Sequence, residues 1–379
     1  QTPPAYAQLV TPTPGRQVWM DNLRVAVITG VIVLHVATAY VLDISWYYEE
    51  RTASGVTEAL LAVLFLPTAL FAMAVLFLVA GMLTARSMAR KGAKGFWRDR
   101  LLRLGMPVVV FIVVVDPATS VLGSWGSGDY ADFATMVRYE FTHPGSGPMW
   151  FVVALLGFSV TYAVWRRLRP VPSDADRLLR RRHLVTAAAV IVAATFVVRL
   201  VWPFAGDTPL ALNLWEWPQM AVLFAFGALA EERGWLDPPP AWLPRSCLRA
   251  GSLAAIAVLA VGVQIAASDN PELFLGGWHL QALAEPICEA TIAVSMSFWV
   301  ALWFARHVTY EGRTARALGR ASYATYVVHA PVVVALSVAI AGIAVAAEVK
   351  FVTVAGLGIA ASYTLGWLVT RPHRRQRRT

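Results

Sequence analysis

Arg24 and His35 are the residues whose types and spacing point most directly to chemistry. They lie in Asp21-Asn-Leu-Arg24-Val-Ala-Val-Ile-Thr-Gly-Val-Ile-Val-Leu-His35, at the start of the first long apolar run. Eleven helical residues make about three turns, so both side chains share one face, roughly 16 Å apart. One then sits near a membrane surface and the other well inside. A titratable group at that depth is costly and usually has a functional partner; a histidine satisfied by hydrogen bonds to neighbouring helices is the plainer alternative. An imidazole is suited to proton transfer near neutral pH, and a guanidinium to anionic oxygens.

The elements that must position them are membrane helices. Of the residues, 58% are hydrophobic and only 15% charged, and mean hydropathy is +0.57, outside the range of a soluble domain this long. The chain carries 15 Trp and 11 Tyr. Many flank apolar runs, as in Trp46-Tyr-Tyr48, Trp202, Trp215, Trp217 and Trp278, which suits anchoring at the membrane interface. Cys247 and Cys288 fall in different segments and read as packing residues.

About ten segments are long enough to cross a bilayer: 22–42, 57–85, 103–124, 148–168, 184–204, 211–231, 248–267, 284–305, 321–344 and 350–370. Nearly all of the 32 Lys and Arg fall in alternate connections, leaving only Arg51, Arg138, Arg199 and Lys350 elsewhere. That asymmetry predicts an all-α integral membrane protein with both termini cytoplasmic. It also accounts for the net charge of +9 as topology; a nucleic-acid partner would need a basic face interleaved with aromatics on a soluble domain. Residues 1–17, rich in Pro and Thr, read as a disordered cytoplasmic lead, 18–371 as one membrane domain, and 372–379 as a basic cytoplasmic tail. The missing initiator Met suggests trimming, and the first apolar run is a full span without a small-residue cleavage pattern.

Several local patterns coincide with one family. Arg24 followed after ten residues by His35 resembles the opening of the acyltransferase family 3 membrane proteins. Leu76-Phe77-Leu-Val-Ala80-Gly81-Met82-Leu83 is similar to that family's Phe-Phe-x-x-Ser-Gly-Phe-Leu, with Leu76 and Ala80 departing from it. Phe96-Trp97-Arg98-Asp99-Arg100-Leu-Leu-Arg103 resembles its Arg-x-x-Arg segment, and Gly147-Pro148-Met149-Trp150-Phe151 its Leu-Trp-Phe start of the fourth span. Phe224-Ala-Phe-Gly227 through Asp237, and Ser322-Tyr323-Ala-Thr-Tyr326-Val-Val-His329-Ala-Pro331, also have counterparts. The resemblance covers residues 19 to about 332 in the family's order.

The resemblance implies transfer of an acyl group, commonly acetyl or succinyl, from cytoplasmic acyl-CoA to a hydroxyl of a carbohydrate or other acceptor. In that scheme His35 serves as general base on the acceptor hydroxyl. Arg24 binds donor phosphate or pantetheine carbonyls, or alternatively pairs with Asp21 three residues earlier. Arg100 and Arg103, with Arg98 beside them, match the charged end of CoA; positive-inside anchoring is the competing account, and the better one for Arg86, Arg90, Lys91 and Lys94. No glycine-rich phosphate cradle is present, so side chains and helix ends must hold the donor. Neither a metal nor a tightly bound cofactor is expected.

Trp150 opens the fourth segment. Tyr323, Tyr326 and His329 share one segment, where positions 322, 326 and 329 fall on one helical face; they line the same cavity or bond between helices. Glu285 and Glu289, four apart, either orient a sugar or pair with Arg199 or Lys350. Glu216, between Trp215 and Trp217, reads as an acceptor-side cluster or as interfacial anchoring. The connection from Trp125 to Gly147 holds Asp129, Asp132, Glu140 and His143, better suited to gating an acceptor than to holding a metal, since no second histidine stands at a ligand interval. No Gly-x-Ser-x-Gly elbow occurs, which favours direct transfer over an acyl-serine and leaves an acyl-histidine intermediate as the alternative. The expected partners are acyl-CoA, a carbohydrate, glycolipid or other hydroxyl acceptor and the lipid bilayer; with no hydrolase-like extracytoplasmic domain in the chain, it either completes the transfer alone or relies on a separate extracytoplasmic partner protein. A transporter or flippase of a small solute or lipid-linked precursor is the alternative, though no internal repeat supports it. A non-catalytic scaffold would have no need of His35.

Overall fold

The computed structural model describes residues 14–42, 44–128, 132–169 and 178–371; the proposed lead before Pro14, Asp129 of the long connection and the basic tail lie outside them. Every regular element among the described residues is helical. In order these are α1 (Pro14–Tyr40), α2 (Gly55–Arg100), α3 (Met106–Val110), α4 (Asp116–Ser127), α5 (Phe133–Thr142), α6 (Trp150–Leu168), α7 (Arg181–Arg199), α8 (Trp217–Arg233), α9 (Leu243–Ala266), α10 (Glu272–Leu275), α11 (Ala284–His307), α12 (Arg313–Ile340) and α13 (Ala347–Thr370). Eight helical stretches among the described residues are long and apolar enough to cross a membrane. One of them, Gly55–Ser127, contains two of the segments expected separately, and α8, with 17 residues, falls just short of that length. The chain is a multi-pass, all-helical membrane protein.

Two prolines explain how α2 runs on into α4. Pro107 and Pro117 lack an amide N–H, so the ladder before each cannot keep its ordinary spacing. Met106 donates back to the Leu101 carbonyl and Asp116 to the Phe111 carbonyl, closing π-helical turns at Leu101–Gly105 and Phe111–Val115. Within α2 itself the backbone breaks at Gly92, whose φ of 67° is easy for glycine and strained for other residues.

The chain divides into two compact units that interleave along the sequence. Unit 1 takes residues 14–16, 66–108 and 149–307 of the described chain. There α2 and α8 meet backbone to backbone, because a Cβ on Gly81 would overlap the Phe224 carbonyl and one on Gly227 the Leu78 carbonyl. The two glycines singled out in separate motifs thus serve one helix crossing, as small residues do where lipid gives no hydrophobic drive to associate. Phe77, Phe151, Phe158 and Phe224 pack around it. Cys288 is buried with Leu70, Ala254, Val258 and Ile292, and Cys247 is buried too; both are free thiols.

Unit 2 takes residues 17–65, 109–148 and 308–371 of the described chain. Its α1 is tied to α13 by the Tyr363 hydroxyl, which donates to the Val25 carbonyl at 3.0 Å. Asn22 donates to the Val308 carbonyl at 2.9 Å just before α12. Lys350, 2% exposed, donates to Glu50 at 2.6 Å and to the Ala341 carbonyl at 3.0 Å. The membrane residue expected as one option for Glu285 and Glu289 is therefore engaged within its own unit.

Candidate active site

In unit 2, α1 and α12 bring His35 and His329 together, with His35 Nδ1 at 2.9 Å from His329 Nε2. The ring planes differ by 15° and the centroids lie 5.0 Å apart. An N–N separation that short between near-parallel rings places them edge to edge in one plane, joined by a hydrogen bond. Trp46 covers the face of His35, its ring 4.1 Å away and 11° from parallel. His329 is 0% exposed, and its Nδ1 lies 2.5 Å from the carbonyl of Tyr326. The Trp46 indole N–H is buried without a partner, as are the Tyr323 hydroxyl and the Arg24 Nε. Arg24 pairs with Asp21 through Nη2, the alternative raised from the sequence, which leaves its Nε unspent.

Behind Trp46 a short polar strap is fastened. The Tyr47 hydroxyl donates to Asp116, Gly145 N–H donates to the other Asp116 oxygen at 2.8 Å, and the Tyr326 hydroxyl donates to the Pro148 carbonyl. Burial, then the charge of Asp116, holds the Tyr47 phenol well above its ordinary pKa, so it stays a donor. Gly147 adopts a φ of 44° against the Tyr47 ring, where a Cβ would clash. The motif around Gly147-Pro148 thereby has a local reason: it lets the chain close over Tyr47 and Tyr326. His143 turns back on its own helix, its Nδ1–H donating to the Tyr139 carbonyl at 3.0 Å.

Two members of this cluster escaped the sequence reading. Trp46 looked like one more interfacial aromatic. Asp116 is a lone carboxylate in the apolar run Phe111-Ile-Val-Val-Val-Asp116, a signal of the same kind that singled out His35.

The arginines assigned to the donor lie in unit 1 and differ in setting. Arg100 turns inward, donating to the buried Thr84 hydroxyl at 2.9 Å and lying 5.1 Å from the Phe96 ring centre; its Nε has no partner. Arg103, in the first π turn, is 76% exposed along its side chain and pairs with Asp99 at 2.9 Å, which also takes Lys91 at 2.8 Å. Arg98 is exposed. A cleft of about 280 Å³ opens between α2 and α6, lined by Lys94, Trp97 and Arg167 among others. Arg86, read as topological anchoring, is also forked onto Glu231 at 2.6 and 2.8 Å. Trp150 begins α6 with its ring edge-on to Phe151 at 6.5 Å.

Also in unit 1, Arg199 gathers the carboxylates considered for the acceptor. Its Nη2 donates to both Glu289 oxygens at 3.0 and 2.8 Å, and Nη1 reaches Glu285 at 3.3 Å. Glu216 lies within electrostatic reach of Arg199 and Glu289. Phe204 and Trp215 flank the guanidinium at 4.9 and 6.0 Å. Among the described residues no group of three or more His, Cys, Asp or Glu is arranged around a common metal position.

The profile of the acyltransferase domain of family 3 matches residues 17–371, nearly the whole chain. No curated protein and no solved structure shows significant similarity to it. With a match of that extent on a many-helix membrane fold, the chain belongs to acyltransferase family 3 and is a multi-pass membrane acyltransferase.

Proposed function

We propose that this protein moves an acetyl or succinyl group from cytoplasmic acyl-CoA to a hydroxyl of a cell-envelope carbohydrate or glycolipid. It does so in the cytoplasmic membrane, crossing it about ten times with both termini inside. The observation that carries this reading is His35: a histidine within the apolar span Val18–Tyr40, stacked under Trp46 and hydrogen-bonded to a second imidazole instead of a counter-ion. Such a group is suited to cycling a proton, not to holding a fixed charge.

In the reaction the acceptor oxygen attacks the thioester carbonyl, the new C–O ester bond forms and the C–S bond breaks. His35 takes the hydroxyl proton and returns it to the departing thiolate, so the products are ester and free CoA thiol. Arg24, with its unspent Nε, offers a donor N–H to carbonyl or phosphate oxygen. Arg100 and Arg103, with Arg98, attract the anionic end of CoA, and the cleft beside Trp97 adds an aromatic plane. Tyr323, in the same unit as His35 and with its hydroxyl unspent, contributes to acceptor positioning.

The test is purified protein in detergent with acetyl-CoA, comparing wild type with His35→Ala and Arg100→Ala for thiol release and CoA affinity. The reading expects turnover to vanish in His35→Ala while CoA still binds, and binding to weaken in Arg100→Ala. A wild-type protein that neither binds nor turns over any acyl-CoA overturns the donor assignment.

A further inference from the structure

The hydrogen-bond chain that ends at His35 has a direction. A backbone carbonyl can only accept, so the 2.5 Å contact between the Tyr326 oxygen and His329 Nδ1 requires that His329 carry its proton on Nδ1. Neither ring has a carboxylate hydrogen-bond partner among the described residues to hold a charge, so both rest neutral; a neutral imidazole has one N–H, and His329 Nε2 then bears a lone pair. The atom facing it at 2.9 Å, His35 Nδ1, must then be the donor. That leaves the lone pair of His35 on Nε2. His329 is fully buried, so solvent does not reach its end of either contact.

We infer that His329 is a positioning residue that fixes the tautomer of His35, presenting Nε2 as the base, with the Tyr326 carbonyl as the fixed end of the chain. Which imidazole nitrogen carries the proton is set by the bond the other makes, and here that bond is supplied by a second imidazole, not by the usual carboxylate. The arrangement suits a membrane interior. A neutral acceptor orients the base without adding a buried charge that would call for its own counter-ion. When His35 gains a proton on Nε2, its Nδ1–H still points at His329 Nε2, so the contact survives the whole proton cycle. Trp46 meanwhile offers a π face to the imidazolium. The consequence for turnover rests on the acyl-transfer reading above; the tautomer itself does not.

Two measurements separate these. The first is a long-range proton–nitrogen correlation spectrum of the full-length protein labelled with [15N]histidine, in detergent, with His35→Asn and His329→Gln used to assign the two rings. Both rings are expected as the Nδ1–H tautomer with Nε2 bare; His35 carrying its proton on Nε2 overturns the inference, whatever the substrate. The second is steady-state turnover of acyl-CoA. His329→Leu, which removes the acceptor, is expected to lower kcat about 100-fold with KM for the donor unchanged, in line with the loss of a positioned base. His329→Gln, whose side-chain oxygen can stand in for Nε2 as acceptor, is expected to recover to within about tenfold of wild type, the worth of an imperfect hydrogen bond. Equal losses in Leu and Gln, or wild-type kcat in the Leu variant, also overturn it. Wild-type protein that turns over no acyl-CoA while both rings show the expected tautomer would sink the acyl-transfer reading and leave the hydrogen-bond chain standing.

Discussion

Two groups of buried ionisable side chains answer the same problem in opposite ways. In unit 1, Arg199 closes on Glu289 with two hydrogen bonds and reaches Glu285 with a third. Charge there is met by opposite charge, and such clusters are rigid and costly to open. In unit 2, His35 meets a second imidazole and an indole, and the unpartnered N–H of Trp46 is left next to it. Hydrogen-bonding capacity that a fold leaves unspent inside a membrane is available to a reacting group. The contrast separates two kinds of intramembrane polarity: the closed cluster holds helices together, and the open one is placed to handle a proton.

Substitutions can break that distinction or sharpen it. The largest expected effect is His35→Ala, which should cost about 10²–10⁴-fold in turnover as a lost general base while the melting temperature in detergent stays near wild type. A large fall in melting temperature with turnover per folded molecule retained would put His35 among the closed clusters. Arg199→Met should do the reverse. It strands two buried carboxylates and is expected to destabilise by about 3–5 kcal/mol, read by denaturant or thermal unfolding, with Glu289→Leu in the same chain restoring much of the loss. Preserved stability with lost turnover would move Arg199 into the acceptor site instead.

Trp46→Phe sharpens the comparison on a finer scale. It keeps an aromatic face on His35 and deletes only the free N–H, so it should lower kcat by about tenfold, the worth of one hydrogen bond. Trp46→Leu, which also loses the stack, should lose more. The smallest effect on folding belongs to Arg103→Ala. Its ion pair with Asp99 is solvated, the side chain being 76% exposed, and worth at most about 1 kcal/mol. The variant should melt like wild type and show a raised KM for acyl-CoA that narrows as salt is added.

The helices and the face shared by Arg24 and His35 were legible because lipid imposes a simple code: apolar runs of fixed length, and ionisable residues that need a reason. The motif glycines were legible as positions but not as partners. That Gly81 meets the Phe224 carbonyl and Gly227 the Leu78 carbonyl depends on a crossing between distant segments, which one sequence does not encode as a local pattern. Asp116 could have been noticed by the rule that found His35. Trp46 could not, since interfacial anchoring accounts for an aromatic run equally well before its stacking partner is known. The inward turn of Arg100 and the exposure of Arg103 were likewise hidden, because a π turn between them changes the face each one occupies.

The shortness of α8 has a consequence for how its depth is fixed. At 17 residues it rises about 25 Å, against a hydrocarbon layer of about 30 Å. Two consecutive carboxylates at its end are clamped, Glu231 by Arg86 of α2 and Glu232 by Arg166 of α6. Pinned at that level, α8 has little freedom to slide; the turn Leu214–Glu216 leads directly into it, and along the helix only Ala225 is exposed, so its surroundings are protein more than lipid. The depth of α8 is therefore set by its two clamps and its protein neighbours, and a change at either clamp moves the whole crossing with α2.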